Sequence, residues 1–101
     1  MNYREKIIVK VEPEIADLVP GFLKNREKDI ENMESCLGTQ NFEVIERLGH
    51  SMKGSGAGYG FDGISEIGKF IEMAAKEKDT KKIKKGIEEL RDYLSRVEIV
   101  E

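Results

Sequence analysis

One cysteine, one histidine and two prolines are all that these 101 residues hold of three side chains that often fix structure or carry chemistry. Cys36 cannot close an internal disulfide, so it fits a reducing compartment, and its simplest role is a small apolar filler near a helix end. A lone His50 has neither a second histidine nor a cysteine three or four residues away. The ligand spacing of a zinc or other transition-metal site is therefore missing. Long apolar runs are absent too: Ile7-Ile8-Val9-Lys10-Val11 holds only five mostly apolar residues, too few for a signal-peptide core or a membrane span. Basic residues form no stripe, because 17 Lys and Arg are interspersed with 20 Asp and Glu for a net charge of −3. Nucleic acid is an unexpected partner for such a chain. Together these absences predict a cytoplasmic protein with no membrane contact.

What is present favours helices. Both prolines lie in the first twenty residues, and 37% of the chain is charged, a composition that suits helices better than sheet. Pro13 can open a helical segment in which Ile15, Leu18, Val19, Phe22, Ile30, Met33 and Leu37 recur at helical spacing until Gly38 closes it. Pro20 and Gly21 should bend or interrupt that segment near its start. Asn41 can cap a second helix and Asp62 a third, the latter with Ile64, Ile67, Ile71, Ala74 and Ala75 on its inner face. Thr80 opens a fourth, along which Ile83, Ile87, Leu90, Leu94 and Val97 repeat. Four amphipathic helices joined by short loops predict an all-α, antiparallel four-helix bundle over residues 13–101, preceded by a short arm or helix at 1–12. The β-branched stretch 7–11 reads as an extended arm on the bundle, and residues 97–101 as a tail that frays or covers a bundle edge. Lys81-Lys82-Ile83-Lys84-Lys85 reads as the solvated start of the last helix, although lysines there oppose the helix dipole.

The informative stretch is Leu48-Gly49-His50-Ser51-Met52-Lys53-Gly54-Ser55-Gly56-Ala57-Gly58-Tyr59-Gly60-Phe61. At about 100° per residue, Phe42, Ile45, Leu48, Gly49, Met52 and Tyr59 share one side of a helix, and His50 lies roughly 150° from the centre of that arc. The imidazole should face solvent. Each interior helical glycine costs about 0.8–1 kcal/mol relative to alanine, so the run sacrifices a large part of a small domain's stability. Gly49 and Gly56 can be explained by close helix packing and Gly60 by a helix end. Gly54 lies beside His50 on the exposed face, where its use is to let another surface approach the ring. An exposed imidazole with a cation one turn away and no side chain in front of it points to phosphoryl chemistry. Hydrolysis fits less well, since Ser51 and Ser55 point to other faces, and the glycines lack the spacing of a phosphate-binding loop.

His50-Ser51-Met52-Lys53-Gly54-Ser55 followed by Tyr59-Gly60-Phe61 resembles the motif of histidine-containing phosphotransfer (HPt) domains and is similar to the phosphotransfer domains of chemotaxis-type kinases. The resemblance spans nearly the whole chain. It implies a phosphocarrier without a kinase domain of its own, in which His50 takes a phosphoryl group and exchanges it with receiver-domain aspartates of a response regulator or hybrid histidine kinase. Lys53 would balance phosphoryl charge, and Glu72, matched without gaps from the next helix, would orient the imidazole so that Nε2 faces outward. Lys69, one turn before Glu72, is a further candidate. Gly54, Ala57 and Arg47 would form the receiver-docking face. No cofactor is implied in the chain itself, because magnesium would come with the receiver, and a monomer is expected. Two other readings are a non-phosphorylated helical adaptor and a module detached from a larger kinase.

Overall fold

The computed structural model describes residues 5–101, so residues 1–4 of the expected arm lie outside the described residues. In chain order it contains β1 (Ile7–Lys10), a 3-10 helix (Pro13–Leu18), α1 (Val19–Gly38), α2 (Phe42–Tyr59), α3 (Asp62–Lys76), α4 (Thr80–Arg96) and β2 (Val97–Val100). The chain is an all-α four-helix bundle. No helix is long and apolar enough to cross a membrane.

Both prolines start helices instead of breaking them. Pro13 opens the 3-10 helix and Pro20 sits in the first turn of α1, where a missing N–H costs nothing. The interruption expected at Pro20 and Gly21 is a change of helix type just before them. That change shifts the helical phase, so Val19 is buried while Leu18, expected inside, is 57% exposed. At the far end of α1, Gly38 is the last helical residue, but the left-handed conformation falls on Gln40, with φ 57°. The chain turns two residues later than Gly38 would have allowed, and the Asn41 N–H donates to the Cys36 carbonyl at 2.8 Å.

Asn41 caps α2 as expected, its side-chain oxygen accepting from the Val44 N–H at 3.4 Å. Gly60, with φ 87°, ends that helix, and the Phe61 N–H closes onto the Gly56 carbonyl at 2.7 Å. Asp62 does not cap α3. Phe61 occupies the cap position with its ring in the core, leaving Asp62 as an acid in the first turn, where the helix dipole favours it. The cap of α4 is Asp79, whose carboxylate accepts from the Lys82 N–H at 3.1 Å.

Met33, Ile45, Met52, Ile64, Ile71, Ile83 and Leu90, from all four helices, form the fully buried centre. Val97 is not part of α4. It starts β2, which pairs in parallel with β1 in the register Ile7↔Val97 to Lys10↔Val100. The tail expected to fray or cover an edge is thus a strand, with Ile7, Val9, Val97 and Ile99 turned toward the core and Ile8 and Val100 turned outward.

Candidate functional site

The site begins with glycines. A Cβ on Gly49 of α2 would stand 2.7 Å from the Glu72 backbone nitrogen and 2.8 Å from the Gly68 carbonyl oxygen. A Cβ on Gly68 of α3 would meet the Lys53 nitrogen at 2.6 Å, and one on Gly56 would meet the Ser65 nitrogen at 2.7 Å. Helices α2 and α3 therefore touch backbone to backbone along this seam, closer than any side chain permits. Ser65 on α3 fastens it by donating from Oγ to the Lys53 carbonyl at 2.8 Å. The packing use expected of Gly49 and Gly56 is visible here, and Gly68 is their counterpart on α3, a role that periodicity within that helix does not reveal.

This close approach brings Glu72 under His50. The Glu72 carboxylate is largely buried at 11% side-chain exposure, while the imidazole is 68% exposed, and Oε2 lies 2.9 Å from Nδ1. Burial by itself raises a carboxyl pKa, but the hydrogen bond with His50 and the charge of Lys53 outweigh it and hold Glu72 below the usual carboxylate range. An ionised carboxylate has no proton to give. Nδ1 therefore carries the hydrogen and donates it, so that in the neutral ring the lone pair belongs to Nε2, the nitrogen on the other side of the ring from Glu72.

Lys53 is tied to Glu72, a contact that its sequence position alone does not show. Its Nζ lies 3.5 Å from Glu72 Oε1, so one carboxylate holds the imidazole through one oxygen and the lysine through the other. Arg47, Gly54 and Ala57 are exposed on α2, and a Cβ on Gly54 would meet nothing within 4 Å. Lys69 is exposed one turn before Glu72 and pairs with no carboxylate among the described residues. Ser55 turns toward α1 and accepts from Arg26 Nη1 at 3.1 Å, which removes it from the imidazole's side. Among the described residues no three His, Cys, Asp or Glu side chains gather where they could hold a metal ion.

The tie at Glu72 carries a pH dependence with a definite sign. Because its pKa is lowered on folding, Glu72 contributes stability that is fully present above the ordinary carboxylate range and is lost as pH falls through the lowered folded value. Glu72→Gln is therefore expected to be less stable than wild type near neutral pH, with the gap closing under acid, as urea unfolding across pH can read. The same variant should alter the imidazole tautomer ratio seen by nitrogen-15 NMR. A constant stability gap with an unchanged ratio would remove Glu72 from any role at the ring.

A family model described as Hpt domain matches residues 17–99. No curated protein and no solved structure matches the chain.

Proposed function

Because the chain belongs to the Hpt domain family, the phosphotransfer modules of two-component phosphorelays, we propose that His50 is its phosphoryl acceptor and exchanges phosphate with receiver-domain aspartates. The observation that carries this reading is the 2.9 Å contact between Nδ1 of the largely exposed His50 ring and Glu72, which engages Nδ1 and keeps Nε2 of the neutral ring for attack. In the forward step the Nε2 lone pair attacks phosphorus, the N–P bond forms, and the bond from phosphorus to the aspartyl oxygen breaks to release a carboxylate. The ring becomes a phosphorylated imidazolium that still bears hydrogen on Nδ1. Glu72 faces the developing positive charge, and the reverse step returns the phosphoryl group along the same path.

Phosphoryl transfer depends mainly on positioning and charge balance, so half of the machinery can arrive with the partner. The receiver would supply the magnesium ion and its acidic pocket, and this reading places the chain in the cytoplasm with its partners. Lys53, half-exposed one turn from His50, would turn from Glu72 to the incoming oxygens. Lys53→Ala is expected to slow transfer by a factor corresponding to about 1.5–3 kcal/mol, the strength of a hydrogen bond to a charged group. Rapid-quench assays of transfer from a phosphorylated receiver check this, and a rate within twofold of wild type would exclude the lysine from the transition state.

Gly54 separates docking from stability. Gly54→Leu should leave the fold as stable or raise its stability by about 0.5–1 kcal/mol, since the site is open and leucine is a good helix former. Transfer should nevertheless fall, because the new side chain stands in the receiver's approach. Wild-type transfer by this variant would leave the glycine without a docking role. The proposal as a whole is tested by mixing the chain with phosphorylated receiver domains. Acid-labile label should move onto it and return to an unphosphorylated receiver, whereas no movement from any receiver would contradict the reading.

A further inference from the structure

Between Lys53 and Gly60, α2 reads Gly54-Ser55-Gly56-Ala57-Gly58-Tyr59, so only Ser55 and Tyr59 carry side chains beyond Cβ. Glycine is a poor helix former, and a Cβ on Gly54 or Gly58 would meet nothing within 4 Å, so neither serves packing. On the α3 side the segment is held at Gly56, backbone to backbone. On the other side α1 holds both of its side chains. The Tyr59 ring stacks on Phe22 at 4.3 Å with 13° between the planes, and Phe22 stacks in turn on Phe61 at 5.3 Å. Ser55 Oγ accepts from Arg26 Nη1 at 3.1 Å, and the Arg26 guanidinium lies over the Phe22 ring at 4.7 Å. Arg26 Nε donates to the Asp29 carboxylate at 2.9 Å, which fixes the guanidinium from behind.

Arg26 and Asp29 are largely buried, at 12% and 15% side-chain exposure. Replacing such a pair by apolar side chains of similar volume is often neutral or stabilising. Burial also raises the Asp29 carboxyl above its ordinary range despite the cation beside it, so the ionised acid adds no stability at neutral pH. What arginine supplies and an apolar side chain does not is direction: a planar group with fixed contacts to Asp29, Ser55 and the face of Phe22. We infer that Arg26 is a positioning residue whose clamp holds the glycine-rich half of α2 in one place, so that the face of Gly54 and Ala57 meets a receiver already formed. This inference rests on the proposed phosphotransfer role. A surface ordered beforehand loses less freedom on binding, so the clamp acts on receiver affinity more than on the chemistry at His50.

The test replaces the pair by apolar residues, Arg26→Met with Asp29→Leu, both good helix formers, and leaves the sequence of α2 untouched. Global stability in urea should hold or rise. Amide hydrogen exchange at residues 55–60 should quicken about tenfold while the amides of α3 and α4 keep their rates, because local opening no longer has to break the clamp. KM for a phosphorylated receiver should rise about three- to tenfold with kcat nearly unchanged. Labelling of His50 by the small donor phosphoramidate should keep its wild-type rate. Arg26→Lys keeps the charge beside Asp29 without the planar group and should show the same pattern. Wild-type exchange at residues 55–60, or faster exchange with a wild-type KM, would overturn the inference and leave the phosphotransfer role standing. A loss of stability shared by the whole bundle, with kcat and KM changing together, would make the pair a support of the fold alone and equally overturn it. Absence of transfer from any receiver to the wild-type chain would overturn the phosphotransfer role and this inference together.

Discussion

His50→Gln is expected to abolish acid-labile phosphorylation completely while leaving the helical circular dichroism spectrum and melting temperature close to wild type. The chain has no second histidine to take over. The side chain is 68% exposed and its only described polar contact is with Glu72, so its replacement opens no cavity in the core. Glutamine keeps an amide that can donate to the same carboxylate, which spares Glu72 from being left unpaired. Residual acid-labile label on the variant would mean that another residue carries the phosphoryl group.

Gly49→Ala is expected to damage both the fold and the site, although alanine is the better helix former. The added Cβ would lie 2.7, 2.8 and 3.0 Å from three backbone atoms of α3, none of which can rotate away as a side chain could. Overpacking of this kind typically costs about 1–3 kcal/mol, against a propensity gain of about 0.8–1 kcal/mol. A net loss of up to about 2 kcal/mol should lower the melting temperature of a domain this size by as much as roughly 8–16 °C. Relief requires α2 and α3 to part, which stretches the 2.9 Å contact between His50 and Glu72. The imidazole tautomer ratio and the transfer rate should therefore change along with stability. Gly54→Ala is the internal comparison: the same chemical change where nothing lies within 4 Å should stabilise. Equal effects at the two positions would show that the glycine seam does not set the helix spacing.

These two glycines show where local pattern in the sequence sufficed and where it did not. The exposed His50, the Asn41 cap and the Gly60 helix end were legible because each depends on residues within a turn or two of itself. Asp62 sits one residue inside the expected cap, because an acid just before an apolar run fits a cap and a first-turn residue equally well, and the buried Phe61 takes the cap position. The β1–β2 pairing joins segments about ninety residues apart, and nothing local in Ile7–Lys10 encodes its parallel partner. At the site, resemblance to phosphotransfer domains indicated Glu72 as the imidazole's neighbour. Its second contact, to Lys53, depends on a backbone approach that requires Gly49 and Gly68 to face each other across two helices. Periodicity within either helix cannot show that.

The central claim is that Nε2 of His50 is the atom that carries phosphate, because Glu72 occupies Nδ1. Nitrogen-15 and phosphorus-31 NMR of the histidine-labelled chain after transfer from a receiver reads this atom directly. The account predicts a single phosphohistidine with nitrogen–phosphorus coupling at Nε2 and a hydrogen retained on Nδ1. Phosphate bonded to Nδ1, or to no histidine nitrogen at all, would contradict it.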